Sequence, residues 1–173
     1  MMGHHNSIKK EAEVIQKTGN APITVDLLAQ HLTRLGVQPG MTLLVHSSLS
    51  ALGWVCGGPV AVILALEQVL GPQGTLVMPT FTGDLSDPAE WRNPPVPPAW
   101  HEIIRQTMPA YDPHLTPTRW MGAVAECFRK QPGVQRSTHP QSSFAARGPQ
   151  AKFIITPHPL TCGLGVTAAG PDL

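Results

Sequence analysis

The stretch from Met41 to Phe81 constrains the fold most, because it alternates strand, helix and strand patterns. MTLLVHSS predicts a buried strand, since Leu43, Leu44 and Val45 form a continuous apolar run. GGPVAVILALEQVLGPQG predicts a helix with a proline in its first turn and a glycine at its end, and TLVMPTF predicts a second strand. This order is typical of a βαβ unit with parallel strands. We therefore predict an α/β fold with a mostly parallel sheet flanked by helices.

The flanking segments carry helix, strand and loop patterns. ITVDLLAQHLTRLG predicts a helix that Thr24 caps and Gly36 ends, and TRWMGAVAECFRKQPG predicts a helix that Gly133 ends. AKFIITP predicts a further apolar strand. The proline-rich section, residues 82–111, predicts a long loop with a short helix at PAWHEIIRQTM. We assign residues 1–22 to a flexible tail and residues 23–173 to one domain.

Charge and cysteine usage narrow the class of protein. The formal net charge is +1, which argues against a nucleic-acid or anionic-membrane partner. No apolar run approaches the ~20 residues of a membrane-spanning helix, and the N-terminus lacks the apolar core of a signal peptide. Cys56, Cys127 and Cys162 lie far apart without a CxxC pair, and no HExxH motif occurs. We predict a reduced, cytoplasmic protein without a metal site.

The first candidate for chemistry is the serine-rich loop VHSSLSALGWVCGG, residues 45–58. It follows a predicted strand, and ligands bind at the carboxyl ends of parallel strands. It also leads into a helix N-terminus, whose free N–H groups favour phosphate. The loop is neither GxGxxG nor a Walker motif, and the alternative is an ordinary βα turn.

The second candidate is MPTFTGDLSDP, which follows the second predicted strand and so reaches the same sheet edge. Its threonines, Asp84 and Asp87 offer acceptors to a polar or cationic substrate. The alternative is an Asx-turn loop with solvated carboxylates, which suits Asp87 better than Asp84.

The third candidate is RSTHPQSSFAARG, which contains His139 before Pro140. A neutral imidazole accepts protons near pH 7, and the proline holds His139 extended. His158, in TPHPL, competes with His139 for this role. A dyad of His139 with Ser47 or Ser48 would require the fold to bring them together, and no GxSxG motif supports a hydrolase. Pairing of His139 with Cys56 is a weaker version of the same idea.

Four segments occur in one order along the chain: GMTLLVHSSLSALGWVCGGP, GTLVMPTFT, TPTRWMGAVAECFRKQPGVQRSTHPQSSFAARG and TPHPLTCGLG. Together they resemble the aminoglycoside 3-N-acetyltransferase family. The resemblance runs from about Thr24 to Gly165. The combination of VHSSLSxLG, MPTFT and RSxHPxxSFAAxG carries it, because no single motif is specific alone.

The resemblance implies an enzyme that transfers the acetyl group of acetyl-CoA to the 3-amino group of an aminoglycoside antibiotic, which confers resistance. It implies an α/β fold unrelated to the common GNAT acetyltransferases, and no metal. It implies that His139 lies near the reaction centre. Because a histidine that titrates near pH 7 suits removal of the amine proton, we take His139 as the candidate general base for direct attack on the thioester, with His158 as the alternative. The acetyl-CoA contacts it implies are His46, Ser47, Ser48, Ser50, Leu52, Gly53, Val55, Gly57 and Gly58. The substrate contacts it implies are Thr80, Phe81, Thr82 and Asp84.

The chain departs from the family pattern at its C-terminal end. Members are commonly longer and continue after GLG with a segment similar to SPL, whereas here VTAAGPDL follows. In one choice of codons, a one-nucleotide shift turns that end into SPLRDL, so our hypothesis is either a frameshifted end of a longer ancestral protein or a sequencing artefact. The alternative function is a truncated CoA-binding remnant with weak or no catalysis and an unpaired sheet edge. Stabilisation by acetyl-CoA without turnover would indicate the remnant, and ester hydrolysis without CoA would indicate a hydrolase.

Overall fold

The computed structural model describes residues 11–161 and residue 163. The helices of the described chain are α1 (residues 11–18), α2 (Val25–Arg34), α3 (Leu49–Leu52), α4 (Gly58–Leu70), α5 (His101–Thr107), α6 (Gly122–Phe128) and α7 (Ala151–Ile155). The strands are β1 (Thr42–Leu44), β2 (Thr75–Pro79), β3 (Gln135–Arg136) and β4 (Phe144–Arg147), and 3-10 turns cover Pro88–Glu90 and Pro98–Trp100. The predicted tail end, residues 166–173, and Cys162 lie outside the described residues.

The four strands form one sheet in the order β1-β2-β4-β3. Strands β1 and β2 are parallel, as the βαβ pattern predicts, with Leu43 opposite Leu76. Strand β4 pairs antiparallel with both β2 and β3. The α/β fold with flanking helices is confirmed. Its described sheet is mixed, because the RSTHPQSSFAARG stretch folds back as a β3–β4 hairpin.

Helices cover both faces of the sheet, because side chains alternate between faces along each strand. Helices α4 and α6 pack on the face that carries Leu76 and Met78, and α2 packs against α4 in the same hydrophobic core. Ile63 of α4 and Phe128 of α6 are fully buried there. Helix α7 packs on the opposite face, where Val77 contacts its apolar side. No helix among the described residues is long and apolar enough to cross a bilayer.

The helix-boundary predictions for α2 and α4 are confirmed. Thr24 caps α2, and its Oγ1 accepts the N–H of Leu27 at 3.3 Å. Gly36 follows α2 with a φ of +94°, and Gly71 ends α4 with a φ of +63°. Both angles fall in the left-handed region, where glycine has no Cβ to clash. The sequence therefore encodes these two ends locally.

Four expectations differ from the structure. The helix predicted over TRWMGAVAECFRKQPG covers only Gly122–Phe128, so it ends before Gly133. AKFIITP forms helix α7 rather than a strand, since a short apolar run fits either element and its burial on the sheet favours the helix. Strand β1 lies at a sheet edge rather than in a buried position, and 53 % of Leu44 is exposed. Residues 11–18, assigned to a flexible tail, form a helix that contacts the domain. Thr18 Oγ1 accepts the N–H of Trp54 at 2.6 Å.

Candidate active site

A cavity of about 800 Å³ opens beside the serine-rich loop. Seven of the nine predicted acetyl-CoA contacts line it, namely Ser47, Ser48, Ser50, Gly53, Val55, Gly57 and Gly58. His46 and Leu52 do not line this cavity. The loop therefore gathers most of the predicted residues on one concave surface.

The loop shapes this cavity through a short helix and glycine turns. Helix α3 lies within the loop, and Ser48 Oγ lies 3.3 Å from Ser50 Oγ. Gly57 precedes α4 with a φ of +89° and provides no side-chain cap. The positive end of the 13-residue helix α4 therefore lies at the cavity.

The opposite wall of the cavity comes from the start of α6 and from α1. Trp120, Gly122 and Ala123 line it, together with Glu11 and Val14. A Cβ at Gly122 would lie 3.5 Å from the carbonyl oxygen of Ser47, so α6 begins close to the serine-rich loop. The lining combines serine hydroxyl groups, backbone at glycines and the two tryptophans Trp54 and Trp120.

The two predicted threonines of the second loop hold the fold together. Thr80 is fully buried, and its Oγ1 donates to the carbonyl oxygen of Ser143 at 3.0 Å. Thr82 is also buried, and its hydroxyl donates to the carbonyl oxygen of Pro140. The N–H of Thr82 donates to the carbonyl oxygen of Gln141 at 2.9 Å. These contacts fasten the loop that carries His139 to the end of β2.

The other two predicted substrate residues lie nearer the surface. The ring of Phe81 packs edge-to-face on Phe144, with centroids 5.4 Å apart. Asp84 forms an ion pair with Arg119 at 3.1 Å, and about half of each side chain is exposed. Asp84 lines a second cavity of about 500 Å³, to which Trp120 also belongs.

His139 lies in the turn between β3 and β4 and is only 4 % exposed. Its Nδ1 accepts the backbone N–H groups of Gln141 at 3.1 Å and Ser142 at 3.0 Å. Because Nδ1 is an acceptor, the neutral ring carries its proton on Nε2. This buried Nε2 has no hydrogen-bond partner among the described residues. It is therefore a buried donor directed away from the turn that holds the ring.

His158 lies against His139 rather than apart from it. The two ring centroids are 4.7 Å apart. His158 Nδ1 lies 2.8 Å from the hydroxyl oxygen of Ser137, and its Nε2 lies 3.3 Å from the carbonyl oxygen of Gly163. Ser137 Oγ also accepts the N–H of Phe144 at 2.9 Å. The two His-Pro motifs thus meet in one buried cluster.

The half-buried guanidinium of Arg136 binds residues next to this cluster. Arg136 Nε donates to Thr80 Oγ1 and to Ser143 Oγ, each at 3.1 Å. The NH1 group donates to the carbonyl oxygen of Thr116 at 2.6 Å, and the guanidinium lies over the ring of Tyr111. Burial lowers the pKa of Arg136. Arg136 therefore ties the long proline-rich excursion to the sheet end.

Other pairings considered from the sequence are not formed within the described structure. Neither Ser47 nor Ser48 makes a hydrogen bond with His139, whose Nδ1 is bound instead by the backbone N–H groups of Gln141 and Ser142. Cys56 is an exposed free thiol outside both cavity linings. Among the described residues, no cluster of three or more His, Cys, Asp or Glu side chains is arranged to hold a metal.

Sequence reasoning missed three residues at these sites. Arg119 pairs with Asp84 and lines the second cavity, Trp120 lines both cavities, and Ser137 pairs with His158. The segment TRWMG is placed in a helix by its pattern, although Trp120 precedes α6. The glycine after the Trp-Met pair was a signal that the helix begins there.

Known proteins with related sequences span more than this chain. A family model described as aminoglycoside 3-N-acetyltransferase matches residues 44–169. The prophage-derived aminoglycoside N(3')-acetyltransferase-like protein YokD of Bacillus subtilis is 53% identical over 145 residues, which are 83% of this chain and 53% of that protein. Aminoglycoside N(3)-acetyltransferase VIII of Streptomyces fradiae is 43% identical over 152 residues, 86% of this chain and 51% of that protein. The chain spans about half the length of these relatives.

Solved structures give the same correspondence. The crystal structure of Bacillus subtilis YokD matches with a TM-score of 0.85 at 47% identity, over 90% of this chain and 60% of that one. A structure of AAC-IIIb in binary complex with CoASH matches with a TM-score of 0.67 at 32% identity, over 81% of this chain and 51% of that one. A structure of AAC-VIa bound to sisomicin matches with a TM-score of 0.68 at 34% identity, over 80% of this chain and 51% of that one.

Proposed function

The chain belongs to the aminoglycoside 3-N-acetyltransferase family, and on that premise we propose that it transfers the acetyl group of acetyl-CoA to the 3-amino group of an aminoglycoside. The observation that carries the proposal is the serine-loop cavity, because seven predicted acetyl-CoA contacts line it together. A CoA complex of one relative and a sisomicin complex of another support both substrates.

The chemistry of the cavity fits an acyl-CoA donor. Coenzyme A carries phosphates and a pantetheine amide chain, which require hydrogen-bond donors and a positive potential. The uncapped start of α4 at Gly57 and Gly58 supplies the potential. Ser48 and Ser50 supply hydroxyl donors on the same surface.

The transfer itself requires loss of a proton from the amine. A neutral amine nitrogen attacks the thioester carbonyl, the new C–N bond forms, and the C–S bond breaks to release the CoA thiolate. The proton that leaves the substrate nitrogen passes to a base and from there to the sulfur, which gives the free CoA thiol. We assign this role to His139, whose imidazole lies beside the end of β2. With both substrates bound together, no acetylated protein intermediate is needed.

The hydrogen bonds of His139 set a condition on this role. In the neutral ring the proton lies on Nε2, because Nδ1 accepts two backbone N–H groups. Before Nε2 accepts a proton, the ring proton has to move to Nδ1 and the contacts with Gln141 and Ser142 have to rearrange. The same geometry favours a second role, in which Nε2–H donates to the developing oxyanion of the thioester.

A set of His139 variants separates the two roles. We expect purified protein to release CoA thiol from acetyl-CoA only when an aminoglycoside such as gentamicin is present. His139→Gln keeps an N–H donor near the Nε2 position but is no base, whereas His139→Asn keeps only the turn acceptor. Loss of a general base lowers kcat by about 10²–10⁴-fold in both variants. Activity in the Gln variant alone would assign the donor role.

Other outcomes of the same assay contradict the proposal. Thermal stabilisation by acetyl-CoA without any thiol release would indicate a CoA-binding protein that is not a catalyst. Hydrolysis of a simple ester without CoA would indicate a hydrolase. A near wild-type rate in His139→Ala would remove His139 from the reaction and direct attention to His158.

A further inference from the structure

Neither backbone preference nor burial in the core explains why a tryptophan stands at position 120. Its φ is +58°, in the left-handed region that bulky side chains rarely adopt. Its side chain is 74% exposed, so burial in the core does not select a tryptophan here. Strained residues of this kind concentrate at binding and catalytic sites. A role for the Trp120 indole must therefore come from contacts outside the hydrophobic core.

The indole stands at the boundary of two cavities. Trp120 lines the serine-loop cavity and also the second cavity, where Asp84, Glu90 and Trp91 are further lining residues. Gly83 lies against the ring edge, since a Cβ there would be 3.5 Å from Trp120 Cζ3. A group bound on the ring would therefore sit next to the donor cavity.

Arg119 contacts both Asp84 and the ring of Trp120 beside the second cavity. Its NH1 lies 3.1 Å from Asp84 Oδ2, and its Cζ lies 4.9 Å from the centroid of the Trp120 ring. Its backbone N–H donates to the carbonyl oxygen of Phe81 at 2.7 Å, which fixes the segment but not the side chain. A carboxylate and an aromatic face are the two groups that bind a protonated amine.

We propose that Asp84 and the ring of Trp120 form a subsite for a protonated amine of the acceptor, and that Arg119 occupies this subsite in the substrate-free protein. The inference rests on the proposed function, since it concerns the acceptor of that reaction. Arg119 and Asp84 are 45% and 52% exposed, so solvent weakens their attraction and a substrate cation displaces the guanidinium at little cost. An aminoglycoside carries several ammonium groups, so one can bind here while another reacts.

Binding measured without acetyl-CoA tests the subsite. Titration calorimetry of gentamicin into Arg119→Gln should give a Kd about threefold to tenfold lower than wild type, because the resident cation is gone. Arg92→Gln is the matched control, since Arg92 lines the same cavity but forms no ion pair in the described structure. Asp84→Asn and Trp120→Ala should each raise Kd about threefold to tenfold, and Trp120→Phe should raise it less.

A double variant links the three residues. In Arg119→Gln/Trp120→Ala the gain from removing Arg119 should shrink, because the ring that the freed subsite needs is absent. A higher Kd in Arg119→Gln would overturn the proposal, since Arg119 would then help to bind substrate. An equal gain in Arg92→Gln would also overturn it, because net charge alone would account for the effect.

The outcome for the subsite is separable from the outcome for the proposed function. If the calorimetric pattern holds but no CoA thiol is released, the subsite stands and acetyl transfer fails. If thiol release depends on gentamicin but the Arg119→Gln pattern is absent, acetyl transfer stands and the subsite fails. If wild type neither binds nor acetylates gentamicin, both are overturned for this acceptor.

Discussion

Replacement of His139 separates its structural role from its chemical role. Alanine removes the ring and with it the Nδ1 acceptor of two backbone N–H groups. Asparagine removes the ring but retains an acceptor, because its Oδ1 reaches the N–H groups two and three residues along in an Asx turn. Both variants therefore lose the imidazole needed for catalysis, and only the alanine variant also loses the acceptor that holds the turn.

The loss in free energy of unfolding depends on how exposed the two backbone N–H donors are. Gln141 is exposed and its N–H regains a water partner, whereas Ser142 is half-buried and loses about 1–3 kcal/mol if its N–H is unpaired. Loss of the buried ring adds about 1–3 kcal/mol in both variants. The free energy of unfolding of His139→Ala should therefore be about 1–2 kcal/mol lower than that of His139→Asn. In a chain of this size that difference lowers Tm by about 2–8 °C.

Urea unfolding and thermal melts measure this difference directly. We expect His139→Asn to have the higher midpoint at an unchanged urea dependence, while both variants lose turnover. Equal midpoints for the two variants would refute the reasoning, because Nδ1 would then not support the turn. The assignment of the ring proton to Nε2 would then also be wrong, because it depends on Nδ1 being the acceptor.

Three further predictions concern the framework around the site. Burial acts to raise the pKa of Glu126, but hydrogen bonds led by that from Arg129 outweigh it and hold the pKa far below its usual range. Stability from this group is present above the unfolded pKa of about 4.5 and is lost as pH falls below it, so Glu126→Gln should flatten the acid end of a Tm-against-pH curve. Arg136→Lys should cost about 2–4 kcal/mol in urea unfolding, because an ammonium cannot reach all the oxygens that the guanidinium binds; an unchanged midpoint would contradict this. Gly148→Ala should lower Tm, because a Cβ there overlaps the backbone at the start of β2, whereas Gly36→Ala, with open space around it, should lose only the cost of its positive φ.

The elements that could be predicted from the sequence are those with long or locally coded patterns. Helix α4 is a 13-residue apolar segment between glycines, and strand β2 is buried along its whole length. The sequence predicted an acetyl-CoA site at the serine-rich loop, which follows a strand and precedes a helix; the structure has a cavity there, and acetyl-CoA binding stays a prediction. Its residues meet because the βαβ geometry brings them together.

Features set by distant partners could not be predicted. The sequence shows that Thr80 and Thr82 carry hydroxyl groups but not which way these groups point. The pairing of β2 with β4 directs the Thr80 hydroxyl to Ser143. The hairpin of β3 and β4 lacks alternating apolar residues at Gln135 and Arg136, so no local pattern reveals it. The role of Trp120 depends on a backbone angle and two neighbouring cavities, which sequence spacing does not encode.

Direct passage of the acetyl group from acetyl-CoA to an amine of the acceptor is the central proposal for this chain. Mass spectrometry of both protein and gentamicin, after incubation of the purified chain with acetyl-CoA, tests it most directly. We expect gentamicin with a single added acetyl group on its 3-amino nitrogen, and protein of unchanged mass at every time point. Unmodified gentamicin, or acetyl bound covalently to the protein during turnover, would contradict the account.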